Sequence, residues 1–362
     1  MKILNLSLDN LILDASSHVA KRVADYGDLV DMYTIVVPSK INKHVFLNKR
    51  IAVYGSGGMN KIFQFFHIYK QASLLLKKRV YDLITLQDPY FVGFLGVLLA
   101  KKFDTGLEIQ VHGWEKETFL RMWIAKRVLS KADSIRVVSN REKQVIKNKF
   151  GIAEKNIIVI PIYVEKNTAL VEKPKRNTNN TCIFLTVGRL VSIKNILMQI
   201  ESLPSVIKNN KDKNIQLWIV GEGPMENILK SKIKELQLNN HVILHGWKDK
   251  KELNDIYIKA DCFLLTSNRE GWPLVIMEAA SHALPIIMPN TGSAQEFIQH
   301  NINGLVVEVG SLAELTFAMN TIVEDIDLRK KLGDAAKHSF YALPDKKEIL
   351  GLYKKSWENI LM

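Results

Sequence analysis

The chain has 362 residues, 47% of them hydrophobic, and a formal net charge of +13. This length and composition predict a globular protein of two domains. The longest apolar stretch, residues 89–100, is too short to cross a bilayer, and the N-terminus predicts a first strand rather than a signal peptide. Cys182 and Cys262 lie in separate apolar runs, which favours buried thiols in a reducing cytoplasm over a disulfide.

The positive charge is concentrated in one segment. No acidic residue occurs between Asp31 and Asp82, whereas basic residues recur from Lys40 to Arg79 with aromatic residues among them. Peripheral proteins present such surfaces to anionic lipid, so this segment predicts contact with the inner face of the plasma membrane. A solvated basic surface over an ordinary core helix is the alternative. Charge alone would also attract nucleic acid, but we expect no nucleic-acid partner.

Short apolar runs alternate with segments of helical period along the first half of the chain. This alternation predicts a parallel sheet with helices on both faces, in a domain of residues 1–164. The predicted strands are residues 2–6, 32–37, 83–86, 107–112, 134–138 and 157–160, with helices at 19–26 and 62–80.

A polar segment interrupted by Pro174, residues 165–181, is the predicted linker. The same alternation restarts in a second domain of residues 182–344, with strands at 182–187, 216–220, 242–244, 262–265, 286–288 and 305–307. The predicted helices are residues 193–208, 225–236, 251–258, 274–282, 294–298 and 312–323. Two doubly wound α/β domains result, and such domains bind ligands at the carboxyl ends of their strands.

The stretch of residues 266–279 carries the strongest functional signal. It follows a buried strand, turns through Gly271, and enters a helix whose first residue is predicted to be Pro273. Unpaired amides in the first turn of a helix, together with the helix dipole, bind phosphate. The free amides here would be those of Leu274 and Val275.

Two carboxylates lie in the same stretch, Glu270 on the loop and Glu278 inside the helix. Carboxylates accept hydrogen bonds from paired hydroxyls, so two of them beside a phosphate site suit a sugar nucleotide. On this stretch alone, an ordinary solvated helix explains the residues equally well.

A second strand end carries positive charge. The predicted strand 182–187 runs into Gly188, and Arg189 and Lys194 follow across the start of a helix. Cations there oppose the helix dipole and are mildly destabilising unless an anion lies between them. An Arg fork and a Lys point charge would clamp a diphosphate.

Two further predicted strands end in glycine turns, with Gly221 and Gly223 after one and Gly246 and Trp247 after the next. Only two glycines of the dinucleotide-binding fingerprint are present, so these turns do not predict NAD binding. Plain strand–helix turns and a backbone wall for a nucleotide are both compatible with the pattern.

Together these motifs resemble the nucleotide-sugar-binding half of the retaining GT-B glycosyltransferases, the large family numbered four. The resemblance covers residues 182–323 and implies a GT-B fold, in which two doubly wound Rossmann-like α/β domains face each other across a cleft. It also implies that a terminal helix, residues 345–362, packs back on the first domain. The matching motifs are Gly188-Arg189-Leu190-Val191 with Lys194-Asn195, Gly221-Glu222-Gly223-Pro224, His245-Gly246 and the Glu270-x7-Glu278 pair.

The resemblance implies a role for each matching residue. Arg189 and Lys194 would hold the donor diphosphate and offset the charge of the leaving nucleotide, Glu278 would accept the ribose hydroxyls, and Glu270 would contact the donor sugar. The remaining donor contacts would come from the phosphate-binding backbone at Gly188, Gly271, Pro273, Leu274 and Val275, and from the base-bordering loops at Gly221, Gly223, Gly246 and Trp247. Positioned cations can stabilise a leaving diphosphate without a metal, so we expect neither a metal nor a cofactor besides the donor, a UDP- or GDP-sugar.

In the first domain, His112 ends a strand and Gly113 and Trp114 follow. The family often has a histidine here beside the junction of sugar and acceptor, so the resemblance places His112 in the site, although a lone histidine at a strand end is more often structural. Asp88, after the strand at 83–86, is a further acceptor-side candidate.

One segment departs from the family pattern. Many relatives carry a glycine-rich loop after the first strand, whereas residues 7–22 of this chain contain no glycine. Ser16 and Ser17 precede the first helix and are candidates to cap it, and Arg22 lies on its first turns. These three are acceptor-side candidates whose contacts the departure leaves open.

The sequence therefore predicts a retaining, metal-independent glycosyltransferase that moves a sugar from a nucleotide diphosphate to a glycan or lipid-linked saccharide. The family implies a front-face reaction, in which an oxygen of the leaving phosphate helps to deprotonate the acceptor. The alternatives are a nucleotide-sugar epimerase, a phosphorylase, or a protein that binds sugar nucleotides or anionic surfaces without turnover.

Overall fold

In the computed structural model, residues 1–114, 118–166 and 180–362 are described. The chain divides into two compact units: a first unit of Met1–Tyr163 with Asp345–Met362, and a second unit of Val164–Pro344. Most of the predicted linker, residues 167–179, lies outside the described residues.

The first unit is built on a sheet that has eight strands within the described residues. Its strands, in spatial order β3-β4-β2-β1-β5-β6-β7-β8, are parallel except that β3 is antiparallel to β4. They are β1 (Lys2–Leu6), β2 (Met32–Val37), β3 (Asn42–Phe46), β4 (Ile51–Ser56), β5 (Leu83–Leu86), β6 (Gly106–Val111), β7 (Ser134–Val137) and β8 (Ile157–Val159).

Helices cover both faces of this sheet. One face packs on α2 (Lys61–Lys78), α3 (Phe91–Phe103), α4 (Phe119–Leu129) and α5 (Asn140–Phe150). The other packs on α1 (His18–Gly27) and on the C-terminal helix (Lys346–Leu361), whose Trp357 is fully buried beside Ile3 and Tyr33. Strands buried on both faces read as continuous apolar runs, which explains the pattern in the sequence.

A buried carboxylate on β6 joins the C-terminal helix to the sheet of the first unit. Glu108 of β6 has no exposed surface and forms an ion pair with Arg136 of β7 at 3.3 Å. Its oxygens also accept hydrogen bonds from Thr85, Ser356 and Trp357 at 2.7, 3.2 and 3.1 Å. A buried charge is tolerated when it is paired and hydrogen-bonded in this way.

The second unit has a parallel sheet in the order β11-β10-β9-β12-β13-β14. Its strands are β9 (Thr181–Val187), β10 (Asn214–Val220), β11 (Val242–Gly246), β12 (Cys262–Leu264), β13 (Ile286–Pro289) and β14 (Leu305–Val307). Its helices are α6 (Ile196–Asn209), α7 (Glu226–Glu235), α8 (Lys250–Lys259), α9 (Leu274–Ser281), α10 (Leu312–Glu324) and α11 (Ile326–Ala342). β9 lies in the middle of this sheet, between β10 and β12. Successive strands of the chain are added outward from β9, first on one side (β10, β11) and then on the other (β12, β13, β14).

Two local predictions were wrong. Residues 294–298 form no helix; an isolated bridge joins Ala294 to Ile298, and the Ser293 hydroxyl caps nothing. Pro273 is the residue before α9 rather than its first helical residue, with an extended ψ of 109°. The second difference is small, because helix ends vary by a residue or two.

Candidate functional site

The loops after β9 and β12 form the centre of the candidate site, since these two strands are neighbours in the sheet. The hydroxyl of Thr266 donates to the carbonyls of Lys194 and Asn195, each at 3.0 Å, and accepts from the Gln199 amide at 2.8 Å. The amide of Asn268 donates to the Ile193 carbonyl at 2.9 Å. These bonds fix the two loops against each other before any ligand binds.

Two of the predicted catalytic residues meet directly. The ammonium of Lys194 lies 2.6 Å from a carboxylate oxygen of Glu270, and these side chains are 23% and 12% exposed. Arg189 is exposed and forms no ion pair with any described carboxylate. The strand end therefore holds one cation already matched by a carboxylate and one whose charge is available to an anion.

Gly292 allows a third loop, after β13, to approach this pair. Its φ is +55°, and a Cβ there would lie 2.9 Å from the Cβ of Glu270 and 3.0 Å from the carbonyl oxygen of Gly271. Both the left-handed backbone and the close approach require glycine. No sequence signal indicated this contact, because Gly292 belongs to none of the predicted donor-binding motifs.

Glu278 lies on α9 and has a single described side-chain partner. The hydroxyl of Tyr257 on α8 donates to it at 2.9 Å. Burial raises the pKa of the Glu278 carboxyl, and the Tyr257 bond and the charge of Lys250 offset only part of that effect. Tyr257 itself is buried and stacks on His282, with ring centroids 5.0 Å apart. A half-buried carboxylate with one donor keeps most of its acceptor capacity for a ligand.

The start of α9 presents the predicted amides. The first backbone bond of the helix runs from Ile276 to the Pro273 carbonyl at 3.3 Å, so the amides of Leu274 and Val275 precede it. Neither amide donates a hydrogen bond within the described part of the chain. They remain available to an anion at the positive end of the helix dipole.

Buried hydroxyls cluster at the same strand ends. Ser267 and Ser293 have no exposed surface and Thr291 has little, yet none of the three hydroxyls has a hydrogen-bond partner among the described residues. The same holds for the indole N–H of Trp272. Buried polar groups are otherwise almost always paired, and these unpaired groups lie at the ends of β12 and β13, next to the Lys194–Glu270 pair.

The glycine turns after β10 and β11 are close-packed backbone. A Cβ at Gly221, where φ is +132°, would lie 2.0 Å from the Gly188 carbonyl oxygen, and the Gly221 amide donates to the Gly246 carbonyl at 2.8 Å. A Cβ at Gly223 would lie 2.4 Å from the Leu190 carbonyl oxygen. Trp247 is largely exposed beyond this turn. The glycines bring the turns after β9, β10 and β11 together into one continuous backbone surface.

In the first unit, His112 follows β6 and keeps an exposed surface. Desolvation by surrounding protein, together with the positive charges of Arg136 and Arg22, lowers its pKa to about 4. His112 is therefore neutral at pH 7. Arg22 on α1 lies close enough to His112 to contribute to this shift in pKa.

The other first-unit candidates have structural partners. Both carboxylate oxygens of Asp88 accept amide hydrogens, from Tyr90 at 3.1 Å and Val92 at 2.9 Å, at the start of α3. Trp114 is buried and stacks on Phe150, with centroids 4.9 Å apart, after Gly113 turns the chain at a φ of +135°. Trp114 therefore lies in the core of the first unit, and its role on the acceptor side stays a prediction.

The glycine-free loop after β1 is a self-capped 3-10 turn, Asn10–Leu13. Ser17 caps α1 by accepting from the Ala20 amide at 3.1 Å, and the Ser16 hydroxyl donates to Asp14 at 2.7 Å. The serines therefore hold the loop in place, and Arg22 is exposed on the helix that they begin.

Metal-ligand clusters and membrane-spanning helices are both absent from the described residues. No group of three or more His, Cys, Asp or Glu side chains there is placed to hold a metal ion. No helix in that part of the chain is long and apolar enough to cross a membrane.

Two family profiles match the chain with little gap between them. The family described as Glycosyl transferases group 1 matches residues 169–339, and Glycosyltransferase Family 4 matches residues 18–166. The chain belongs to the group 1 glycosyltransferases. This family assignment confirms the resemblance carried by the motifs of the second unit.

Individual relatives are similar to the chain at low identity. The UDP-Gal:alpha-D-GlcNAc-diphosphoundecaprenol alpha-1,3-galactosyltransferase of Escherichia coli is 26% identical over 69% of this chain and 68% of its own length. The N-acetyl-alpha-D-glucosaminyl L-malate synthase of Bacillus anthracis is 22% identical over 71% of this chain and 66% of its own. The sucrose-phosphate synthase structure from Thermosynechococcus elongatus superposes with a TM-score of 0.81 at 17% identity, covering 99% of each chain. The predicted GT-B fold is confirmed.

Proposed function

We propose that this glycosyltransferase transfers a sugar from a UDP- or GDP-sugar to a glycan or lipid-linked saccharide, with retention of configuration and without a metal. The observation that carries the proposal is the set of groups at the ends of β9 and β12. An unmatched cation, an ion-paired Lys194–Glu270 couple, two free helix amides and an under-hydrogen-bonded Glu278 all lie in the same unit, on neighbouring elements.

The positive groups suit the leaving diphosphate. As the bond from the sugar to the diphosphate breaks, negative charge grows on the phosphate oxygens, and fixed donors aimed at that position lower the barrier. Arg189 supplies a charge that no described carboxylate offsets, and the amides of Leu274 and Val275 supply two N–H groups. Lys194 supplies a second charge next to Glu270. In this proposal the Lys194 ammonium contacts phosphate and the Glu270 carboxylate contacts the sugar.

The carboxylates suit hydroxyls. Glu278 holds acceptor capacity that Tyr257 does not use, which fits a ribose diol. Glu270 is oriented by Lys194 at 2.6 Å and by the loop contact at Gly292, which fits a donor-sugar hydroxyl. A site built to bond hydroxyls rejects analogues that lack them, because its buried acceptors would be left unpaired.

The chemical step balances without an enzymatic nucleophile. The acceptor oxygen bonds to the anomeric carbon as the bond from that carbon to the phosphate oxygen breaks, and the acceptor proton moves to the leaving phosphate. Both events occur on one face of the sugar, which retains configuration. A neutral His112, with its pKa lowered by desolvation and two cations, would act as a hydrogen-bond partner rather than a charge.

The acceptor class is proposed from the first unit and the relatives. The names of the two relatives include a diphospholipid saccharide and L-malate, both of which carry negative charge. The first unit of this chain is rich in basic residues, which suits an acceptor of that kind. A cytoplasmic location stays a prediction; Cys182 and Cys262 are both buried free thiols.

A panel of nucleotide sugars tests the proposal. One UDP- or GDP-sugar is expected to raise the melting temperature with chelator present, and Arg189→Ala is expected to lower transfer by about 100- to 1000-fold. Glu235→Gln on the exposed face of α7 is the control and should behave as wild type. Release of nucleotide without acceptor would favour an epimerase, and dependence on inorganic phosphate a phosphorylase. No binding of any donor would contradict the proposal.

A further inference from the structure

Three consecutive helices of the first unit share an unusual outer face. α2, α3 and α4 contain no Asp or Glu, and each has basic residues in its last turn. Each also exposes large apolar side chains that ordinary soluble helices bury. These are Ile62, Phe63, Phe66 and Leu74 on α2, Phe91, Phe94 and Leu98 on α3, and Phe119, Leu120 and Trp123 on α4.

The exposed residues follow helical spacing, so that each helix carries a single outer stripe. On α3 the stripe runs Phe91, Phe94, Leu98 and then Lys101, at intervals of three and four residues. α4 repeats the pattern over a shorter length. In both helices exposed aromatic residues occupy the first turns and cations occupy the last turn, while Arg121 of α4 lies among the aromatic residues.

The stripes lie side by side. α2 contacts α3 and α3 contacts α4. The rings of Phe65 and Phe91 meet edge to face across the first pair at 6.5 Å, and the Arg121 guanidinium lies 4.7 Å from the Tyr90 ring across the second. The three helices therefore form one surface, here called the aromatic–basic face, defined by the outer residues of α2, α3 and α4.

Sheet topology orients this face. β4, β5 and β6 run in the same direction through β2 and β1, and each leads into α2, α3 or α4. The helix N-termini therefore lie at the carboxyl edge of the sheet, which also carries His112. Because the aromatic residues occupy the N-terminal turns, the apolar part of the face borders the acceptor-side edge, and the cations of the last turns lie farther from it.

We propose that the aromatic–basic face docks on an anionic phospholipid surface. Aromatic side chains at its apolar border would insert into the headgroup region, while the cations attract lipid phosphates, as in interfacial proteins. The prediction from residues 40–79 covered only α2; the structure adds α3 and α4 and places all three together. This inference goes beyond the proposed activity and does not depend on it.

The charge and the exposed apolar groups of the face favour an anionic lipid surface over a second copy of the chain or a nucleic acid. No described carboxylate pairs with Lys70, Lys77 or Lys101, so their charges are available. A second copy of the chain would set these cations against their own equivalents, which opposes self-association. Nucleic acid would satisfy the cations but would leave exposed groups such as Phe119, which is 88% exposed, in water. An anionic lipid surface would pair with the cations and would also remove the apolar side chains from water.

Vesicle flotation tests the proposal with the full chain. Binding to phosphatidylcholine vesicles is expected only when phosphatidylglycerol is included, and it should weaken as salt is raised. Phe63→Ser combined with Phe119→Ser should weaken binding about tenfold or more. The matched control is Phe317→Ser with Ile302→Ser, two exposed apolar residues of the second unit, which should bind as wild type.

A second double variant tests the contribution of the cations to vesicle binding. Lys77→Gln with Lys101→Gln should weaken vesicle binding by about fivefold for each charge removed. The same net charge is removed in the control, Lys211→Gln with Lys331→Gln, which should change binding little because both residues lie on the second unit. The thermal shift with donor, measured in solution, should be the same in all four variants, which separates this result from failure of the proposed function.

Three outcomes would overturn the proposal. The first is binding that does not depend on phosphatidylglycerol or that the controls reduce as much as the face variants. The second is a dimer of the wild type in sedimentation velocity that the aromatic variant dissociates while vesicles do not bind. The third is binding of duplex DNA or RNA, but not vesicles, that only the charge variant weakens.

Discussion

Glu108 in the first unit is a fully buried carboxylate and Glu278 in the second is a half-buried one, and their surroundings differ. Glu108 is paired with Arg136 and accepts hydrogen bonds from three side chains, Thr85, Ser356 and Trp357. Glu278 accepts from Tyr257 at 2.9 Å, has no ion pair within the described residues, and has a pKa raised by burial.

The difference separates a structural carboxylate from a ligand-binding one. A buried charge costs free energy unless its partners replace the lost water. At Glu108 the fold supplies those partners and gains an anchor for the C-terminal helix. At Glu278 the fold leaves acceptor capacity unused, and in our account the ribose of the donor supplies the missing partners.

The largest effect is expected at Glu108. Glu108→Gln leaves the Arg136 guanidinium buried without its carboxylate, which should lower the free energy of unfolding of the first unit by about 3–5 kcal/mol. Calorimetry measures the change. The control is Glu154→Gln, which removes an exposed carboxylate paired with Lys143 and Lys147 and should have little effect. Equal stability of Glu108→Gln and wild type would break the comparison.

Glu278→Gln should behave in the opposite way. Without ligand the variant should be as stable as wild type or slightly more so, because a charge that burial disfavours is removed. Affinity for the nucleoside diphosphate should fall by about 10- to 100-fold, since a charge-assisted hydrogen bond is lost. Thermal shift with and without nucleotide measures both. A loss of stability in the free protein would mean that Glu278 is structural.

The raised pKa of Glu278 predicts a pH dependence. For an acid whose pKa is raised in the folded state, protonation sets in at a higher pH than for an ordinary glutamate, and the protonated carboxyl loses an acceptor. Nucleotide affinity of the wild type should therefore fall as pH decreases, more steeply than that of Glu278→Gln. Titrating both proteins over pH cancels the ionisation of the nucleotide itself. Parallel curves would contradict the assignment.

The smallest effect is expected from Tyr257→Phe. This change removes the one described side-chain donor to Glu278 and should cost about 1 kcal/mol of nucleotide affinity. Because the Tyr257 bond lowers the Glu278 pKa, its loss should shift the fall in affinity to higher pH. A pH profile unchanged from wild type would show that Tyr257 does not set the ionisation of Glu278.

The sequence predicted the elements that local signals specify. Glycine turns, the β12–α9 loop and the order of strands and helices in both units follow from residues close together in the chain. The predicted helix at 294–298 failed because a polar turn with a serine before it imitates a helix start. Strand β3 and helices α5 and α11 were not predicted. In α5 few residues are apolar, and only Ile146 and Phe150 among these are buried.

The remaining features depend on contacts between distant residues. Trp357 reaches Glu108 across 249 positions, and no pattern in either segment indicates the other. Tyr257 looks like a core residue of α8, and its bond to Glu278 exists only because α8 and α9 pack together. Lys194 and Glu270 were both predicted, but as contacts to a ligand; their direct pairing follows from the adjacency of β9 and β12.

The most direct test of the central claim is a double-mutant cycle by titration calorimetry. UDP or GDP, whichever binds, is compared with its 2′,3′-dideoxy analogue on wild type and on Glu278→Gln. If Glu278 accepts the ribose hydroxyls, the analogue should bind the wild type about 10- to 100-fold more weakly and the variant little more weakly than the parent nucleotide. An equal loss on both proteins would show that the ribose is recognised elsewhere and would contradict the account.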